Sequence, residues 1–134
     1  MGFNLKLLFI LFIAAICLPS CEKEEGEGGT STIAGRVFVK NYNSNFTIIR
    51  GEYYAPDVDV FIIYGNDSIH SDDFKTSIDG WYRFEFLNKG NYTIYAISDD
   101  PTMQSPSGKV IVKKSVEITE NNSTVIVDDL VIFD

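Results

Sequence analysis

One short segment holds most of the side chains that could do covalent chemistry. His70 is the only histidine of the chain, and Ser68 precedes it by two residues, with Asp72 close behind. A serine, a histidine and an aspartate can together activate a hydroxyl for attack on an ester or amide. Neighbours in one loop seldom hold that geometry, so we expect a solvated turn here. A small hydrolase, or the accessory subunit of one, is the alternative from another class of protein.

Metal ligands are scarce in this sequence. Zinc sites are closed by several Cys or His ligands, and the chain has one histidine and two cysteines, both in its first 21 residues. Calcium needs about six to eight oxygens in a loop of defined spacing. The acidic pairs lack the Asp-x-Asp-x-Asp-Gly order of such a loop: Asp57/Asp59, Asp72/Asp73, Asp99/Asp100 and Asp128/Asp129. We therefore predict neither a metal nor a cofactor.

Aromatic residues are abundant, with seven tyrosines, ten phenylalanines and one tryptophan. Six of the polar ones are candidates for an exposed face: Tyr42, Tyr53, Tyr54, Tyr64, Trp81 and Tyr95. Flat rings with polar tips suit contact with a glycan or a partner protein, and we select Tyr53, Tyr54, Trp81 and Tyr95. Outward aromatic pairs also stabilise β-sheets by themselves, and this structural alternative remains open.

The N-terminus predicts export and lipid attachment. Lys6 precedes the apolar run Leu7 to Leu18, which is too short for a bilayer that needs about 20 apolar residues. Residues 1–20 are therefore predicted to be a signal peptide. Leu18-Pro19-Ser20-Cys21 resembles the lipobox of bacterial lipoproteins, which implies cleavage before Cys21 and acyl chains on that cysteine. The implied partner of the N-terminus is a membrane.

An acidic, Gly-rich segment follows Cys21, and residues 21–30 are predicted to be a flexible tether about 30 Å long when extended. Its acidic run resembles the export signal of Bacteroidota-type lipoproteins, which implies the outer membrane and its outer face, with the periplasmic face as the alternative. The net charge of −8 excludes nucleic acid as a partner, because such binding needs clustered Lys and Arg. Asp67-Ser68-Ile69 is similar to O-glycan sites of the same group, which implies a candidate glycan on Ser68.

Residues 31–134 show β patterning throughout, and the hairpin Asp79 to Ile97 shows it most clearly. Successive strand residues point to opposite faces, which predicts that Tyr82, Phe84 and Phe86 face the core and that Trp81, Arg83 and Glu85 face outward. A turn at Gly90 then brings Tyr92, Ile94 and Ala96 inward.

Further strands are predicted at Ser31 to Lys40, Val58 to Tyr64, Asp73 to Ile78, Lys109 to Ile118 and Ser123 to Phe133. Phe46 to Arg50 is a short strand or a packed excursion, and Pro101 to Gly108 is a polar loop. About seven strands without helical periodicity predict an all-β domain, a single seven-stranded antiparallel β-sandwich.

The order of features resembles the carboxypeptidase regulatory-like domains. The matching residues are Ile33-Ala34-Gly35-Arg36-Val37, then Ala55 to Ile62, and then Asp79-Gly80-Trp81-Tyr82-Arg83-Phe84 with Leu87-Asn88-Lys89-Gly90-Asn91-Tyr92-Thr93-Ile94. The resemblance implies a transthyretin-like (prealbumin-like) or immunoglobulin-like sandwich, and a non-catalytic binding or structural accessory with a protein or glycan partner.

A relative of these domains carries an isopeptide bond between a first-strand lysine and a last-strand asparagine or aspartate, which implies Lys40 with Asp128 or Asp129 here. That reaction needs a buried glutamate near Ala96, and this chain has none there. We expect no crosslink, and a covalently stabilised adhesin or fimbrial subunit is the alternative.

Overall fold

The computed structural model describes residues 24–134, and these form strands and turns without a helix. Residues 24–134 therefore contain no helix that could cross a bilayer. The nine strands of the described residues are β1 (Glu27–Tyr42), β2 (Ile49–Tyr54), β3 (Asp59–Tyr64), β4 (Asp72–Lys75), β5 (Trp81–Leu87), β6 (Gly90–Asp99), β7 (Lys109–Ile118), β8 (Thr124–Ile126) and β9 (Leu130–Phe133).

The strands form two sheets. In the five-stranded sheet the long β1 is central, pairing antiparallel with β5 and β2 and parallel with β8 and β9. The four-stranded sheet has the order β4-β3-β6-β7 and is antiparallel throughout. Both sheets contribute inward side chains to one hydrophobic cluster, whose fully buried members include Ile33, Val37, Val60, Ile62, Ile94, Ala96 and Leu130.

The all-β prediction is confirmed, but the structure differs in several details, the first being nine strands among residues 24–134 instead of seven. The predicted strand Ser123 to Phe133 is two strands, β8 and β9, and both run parallel to β1 instead of antiparallel. The short strand expected at Phe46 to Arg50 begins only at Ile49. The predicted flexible tether is wrong for Glu27 to Thr30, which belong to β1. The signal peptide and Cys21 lie outside the described residues.

Phe86 is the clearest error of the sequence-based assignment. It is 67% exposed, whereas its neighbour Leu87 is 1% exposed. Phe84 lies opposite Ile33 and Leu87 lies opposite Ser31, so three steps along β5 match two along β1. This extra residue is a β-bulge, and Phe86 occupies the left-handed region at φ 59°. The bulge reverses the alternation, so Leu87 enters the core in place of Phe86.

Substitutions at these two neighbours should separate their roles. Phe86→Asn is expected to leave the free energy of unfolding within about 0.5 kcal/mol, because the ring is exposed and Asn tolerates positive φ. Leu87→Ala should lower it by about 2–5 kcal/mol through the cavity that it creates. Chemical denaturation measures both, and a larger loss at Phe86 than at Leu87 would contradict the bulge.

Candidate functional site

The four aromatic residues selected from the sequence do not form one site. Trp81 and Tyr54 lie together on the outer face of the five-stranded sheet, around Arg36. Tyr53, which is half-exposed, lines a groove of about 440 Å³ together with Pro56 and Ile97. Tyr95 lies on the outer face of the four-stranded sheet.

The Arg36 cluster is a packing arrangement within the sheet. The guanidinium carbon lies 3.4 Å from the Tyr54 ring centre and 5.2 Å from that of Trp81. The same guanidinium donates hydrogen bonds of 3.1 and 2.8 Å to the carbonyl of Asp79. The Tyr54 hydroxyl donates to Asp129 at 2.9 Å, and this hydrogen bond raises the pKa of Tyr54. The Tyr54 ring is thus already engaged within the sheet.

Tyr95 belongs to an aromatic row that the sequence did not reveal. Its ring stacks on Phe61 with centres 4.9 Å apart, and the His70 ring contacts Phe61 at the same distance. Phe61 and Tyr95 are directly paired residues on β3 and β6. Such cross-strand ring contacts stabilise a sheet without any ligand.

The side chains considered for hydrolysis do not form a catalytic pair. His70 is exposed and packs on Phe61, and no hydrogen bond within residues 24–134 joins it to Ser68. Ser68 is exposed in the segment that follows β3. We expect His70→Ala to leave folding and any measured activity unchanged. Thermal unfolding and an esterase assay check this, and loss of hydrolysis would contradict it.

The acidic pairs are dispersed and several are already engaged. Asp59 forms an ion pair with Lys75 at 3.0 Å, Asp99 is paired with Lys109, and Asp129 is held by Tyr54. Within the described residues no three His, Cys, Asp or Glu side chains lie close enough to hold a metal ion.

Lys40 and Asp129, two residues considered for an isopeptide bond, have different neighbours in the five-stranded sheet. Lys40 is paired with Phe133 on β9, whereas Asp129 precedes that strand and binds the Tyr54 hydroxyl. Ala96 is fully buried on β6 of the other sheet.

The tertiary structure does bring two loops together at one end of the molecule, which we call the distal end. The β1–β2 loop, Asn43–Ile48, and the β6–β7 loop, Asp100–Gly108, flank a groove of about 530 Å³. Its lining is aromatic and polar: Tyr42, Asn43, Ser44, Phe46, Asp99, Asp100, Met103, Ser105, Pro106, Ser107, Gly108 and Asp134. We call this the distal groove.

The Asn43 side chain organises the first loop. Its amide oxygen accepts hydrogen bonds from the backbone N–H groups of Thr47 at 2.9 Å and Ile48 at 3.0 Å. Its amide nitrogen donates to the Thr47 hydroxyl at 2.9 Å. Such Asx interactions replace the missing strand partners of a loop backbone, so this wall of the groove has a defined shape.

Asp100 organises the second loop. Its buried carboxylate accepts hydrogen bonds from the Thr102 hydroxyl (2.6 Å) and from the backbone N–H groups of Thr102 (2.9 Å), Gln104 (3.0 Å) and Ser105 (2.7 Å). These bonds, that of the Thr102 hydroxyl first, favour the charged form and lower the pKa of Asp100. The loop is therefore built around one ionised side chain.

Each loop also holds a large residue in a strained conformation. Phe46 has φ 56° and Met103 has φ 58°, in the left-handed region that large side chains seldom adopt. Strain of this kind persists where the surrounding structure enforces it, and it concentrates at binding loops. Met103 is 58% exposed although it is apolar. Both residues line the distal groove.

Tyr42 supplies the aromatic wall of the groove. Its ring lies 6.1 Å from that of Phe46 and 5.8 Å from that of Phe133, measured between centres. The hydroxyls of Ser105 and Ser107 and the nearby carboxylates add hydrogen-bonding groups. The arrangement can bind a ligand with one apolar face and several hydroxyls, and its lining contains no His, Cys or Lys. Sequence reasoning noted Tyr42 but did not select it, and it had no signal that the two loops meet.

No family model matches this sequence, and no curated protein matches it. Among solved structures, the chain is similar to a Pseudomonas aeruginosa protein for which carbohydrate binding has been proposed. The two share 13% identity with a TM-score of 0.46, over 78% of this chain and 91% of the other. A similarity of this size identifies no ligand.

Proposed function

We propose that this protein is a non-catalytic, lipid-anchored module of the bacterial cell envelope that binds a glycan in the distal groove. The observation that carries the proposal is the pair of loops, each organised by its own Asx side chain, that flank an aromatic and polar groove. Prebuilt loops reduce the ordering cost of binding, because little conformational freedom remains to be lost.

The chemistry of the groove favours a neutral glycan. Its volume of about 530 Å³ lies within the usual range of small-ligand sites, about 300–1,000 Å³. Sugar rings have apolar faces that pack on aromatic side chains such as Tyr42, and hydroxyls that bond to Ser, Asn and Asp. Asp100 and Asp134 make the groove acidic, whereas Asp99 is paired with Lys109. Carboxylates repel anionic ligands such as uronic acids or phosphates.

The envelope setting of the proposal rests on the N-terminal sequence. Acyl chains on Cys21 would each contribute about 0.8 kcal/mol per buried methylene, enough for lasting attachment to the outer membrane. The domain itself would be a transthyretin-like sandwich, which the two sheets and their shared core support. Intact mass of the purified protein tests the lipid, and protease treatment of whole cells tests exposure at the cell surface.

Glycan-array binding by the detergent-solubilised lipoprotein tests the function. We expect binding to neutral glycans, and Tyr42→Ala should weaken it at least about tenfold, or about 1.4 kcal/mol. Trp81→Ala is the matched control, because it removes an exposed aromatic ring from a different face. Thermal unfolding of both variants separates lost binding from lost folding. Absence of binding to any glycan, or loss at Trp81 instead of Tyr42, would contradict the proposal.

A further inference from the structure

The first described residues are clamped to the turn between β5 and β6. The Asn88 side chain donates hydrogen bonds to the carbonyls of Glu24 at 3.0 Å and Glu27 at 3.2 Å. The backbone N–H of Asn88 donates to the Gly26 carbonyl at 2.9 Å. Asn88 is itself buried, so its side of these bonds is shielded from water.

Tyr92 adds a second attachment from inside the core. The N–H of Gly26 donates to the Tyr92 hydroxyl at 2.9 Å, and that hydroxyl donates to the Asn88 carbonyl at 2.6 Å. Tyr92 is 2% exposed. Gly26 is therefore held by two hydrogen bonds to residues that are fixed in the core, and it cannot move freely as a tether would.

Glu25 fits between two glycines. A Cβ added at Gly90 would lie 2.8 Å from the Glu25 carboxyl carbon, and one added at Gly65 would lie 3.1 Å from a carboxylate oxygen. The same carboxylate accepts a bond from the N–H of Asn91 at 3.4 Å. Only residues without a side chain leave room for this contact, so the position of Glu25 is shaped by both turns.

From this clamp we infer that the end of the molecule opposite the distal groove is the surface that faces the bilayer. We call it the proximal end, and it comprises residues 24–30 with the turns at 65–71, 87–90 and 118–124. The inference rests on the proposed lipid at Cys21. Three residue steps separate Glu24 from Cys21 and span at most about 10 Å, compared with about 30 Å for the predicted tether.

This orientation places the distal groove on the side of the domain that faces away from the bilayer. β6 runs from Gly90 at the proximal end to Asp99 beside the groove. Its ten residues span about 30 Å at about 3.3 Å each. The proximal end is acidic by residue type, with Glu24, Glu25, Glu27, Asp67 and Glu120 against the single Lys89. Anionic headgroups would repel these acids. Surface charge therefore does not hold this end near the membrane; the lipid at Cys21 and the clamp do.

Fluorescence quenching on vesicles tests the orientation. Lys89→Cys labels the proximal end and Ser44→Cys the distal end, each as the only free thiol once Cys21 is acylated. With nitroxide-headgroup lipids we expect quenching at Lys89→Cys to be at least about twofold stronger than at Ser44→Cys, given the separation of about 30 Å. Equal quenching at both positions would overturn the inference.

Hydrogen exchange of the detergent-solubilised protein tests the clamp without the bilayer. We expect the amides of Gly26 and Asn88 to exchange at least about tenfold more slowly than an unstructured peptide. Tyr92→Phe removes the hydroxyl that accepts the Gly26 N–H and should reduce this protection at Gly26, whereas Tyr95→Phe, on the outer face of the same strand, should not. Free exchange of residues 24–27 in the wild type would overturn the clamp. The intact mass, read separately, reports whether the lipid proposal itself fails.

Discussion

Replacement of Gly35 with alanine should destabilise the protein by about 3 kcal/mol, the upper part of the range for overpacking a core. Gly35 lies on β1 directly opposite Tyr82, whose ring crosses over it. A Cβ at this position would overlap the Tyr82 hydroxyl and lie 2.7 Å from its Cζ. Gly35 and Tyr82 are both buried in the middle of the five-stranded sheet, so neither can move aside without disturbing the packing around it. Thermal unfolding should show a fall in Tm on the order of 10–15 °C.

Gly51 is the matched control for this substitution. It also lies in the five-stranded sheet, on β2, but a Cβ there would meet nothing within 4 Å. Gly51→Ala should leave stability unchanged or raise it by about 0.4–1 kcal/mol through the unfolded chain. Equal losses at Gly35 and Gly51 would contradict the steric explanation.

The Tyr82 hydroxyl supplies a second check on the same contact. It is buried and has no hydrogen-bond partner within residues 24–134, and burial raises its pKa. Tyr82→Phe should therefore keep or increase stability, because an unpaired buried hydroxyl costs about 1–3 kcal/mol. In the Gly35→Ala background the same change should recover part of the loss. Additive effects of the two substitutions would show that they do not interact.

Asp100→Ala should weaken glycan binding strongly while leaving the two sheets folded. The substitution removes the acceptor for three backbone N–H groups and one hydroxyl of the β6–β7 loop. Without it one wall of the distal groove loses its shape, and we expect affinity to fall at least about tenfold. Asp100→Asn keeps one acceptor oxygen, so its affinity for the glycan should lie between those of the wild type and Asp100→Ala. Unchanged binding by Asp100→Ala would show that the loop does not form the site.

The same carboxylate sets a pH limit on binding. Hydrogen bonds lower the pKa of Asp100 below its ordinary value, so its contribution to the loop is complete above the pKa of an unfolded aspartate, about 3.9. The contribution is lost as the pH falls through the lower folded pKa. Binding is thus expected to be constant from neutral pH to about 5 and to fall only below about 4. Isothermal titration at several pH values checks this, and a loss near pH 6 would implicate another group.

Local alternation predicted much of the fold correctly because it depends on neighbours within one strand. Tyr82, Phe84, Tyr92, Ile94 and Ala96 are all buried as the hairpin pattern predicts. Phe86 breaks the pattern because the bulge in β5 arises from its pairing with β1, which lies more than fifty residues away. An extra residue in one strand leaves no trace in the alternation of that strand by itself.

The candidate site was less accessible to sequence reasoning than the fold. The sequence shows which aromatic residues could be exposed but not which side chains contact them. Tyr54 is therefore a candidate for partner binding by sequence, although Arg36 already covers its ring. Asn43 and Asp100 are ordinary loop residues in the sequence. Their importance depends on hydrogen bonds within each loop and on the meeting of two loops that are more than fifty residues apart.

The sequence by itself determined an all-β chain and most of the inward face of its central hairpin, since these depend on residue type and local period. Only the tertiary structure decided that β8 and β9 run parallel to β1, that two loops form the distal groove, and that residues 24–27 are clamped at the opposite end. Pairing partners and loop encounters follow from how the whole chain buries its core, and no local pattern encodes that.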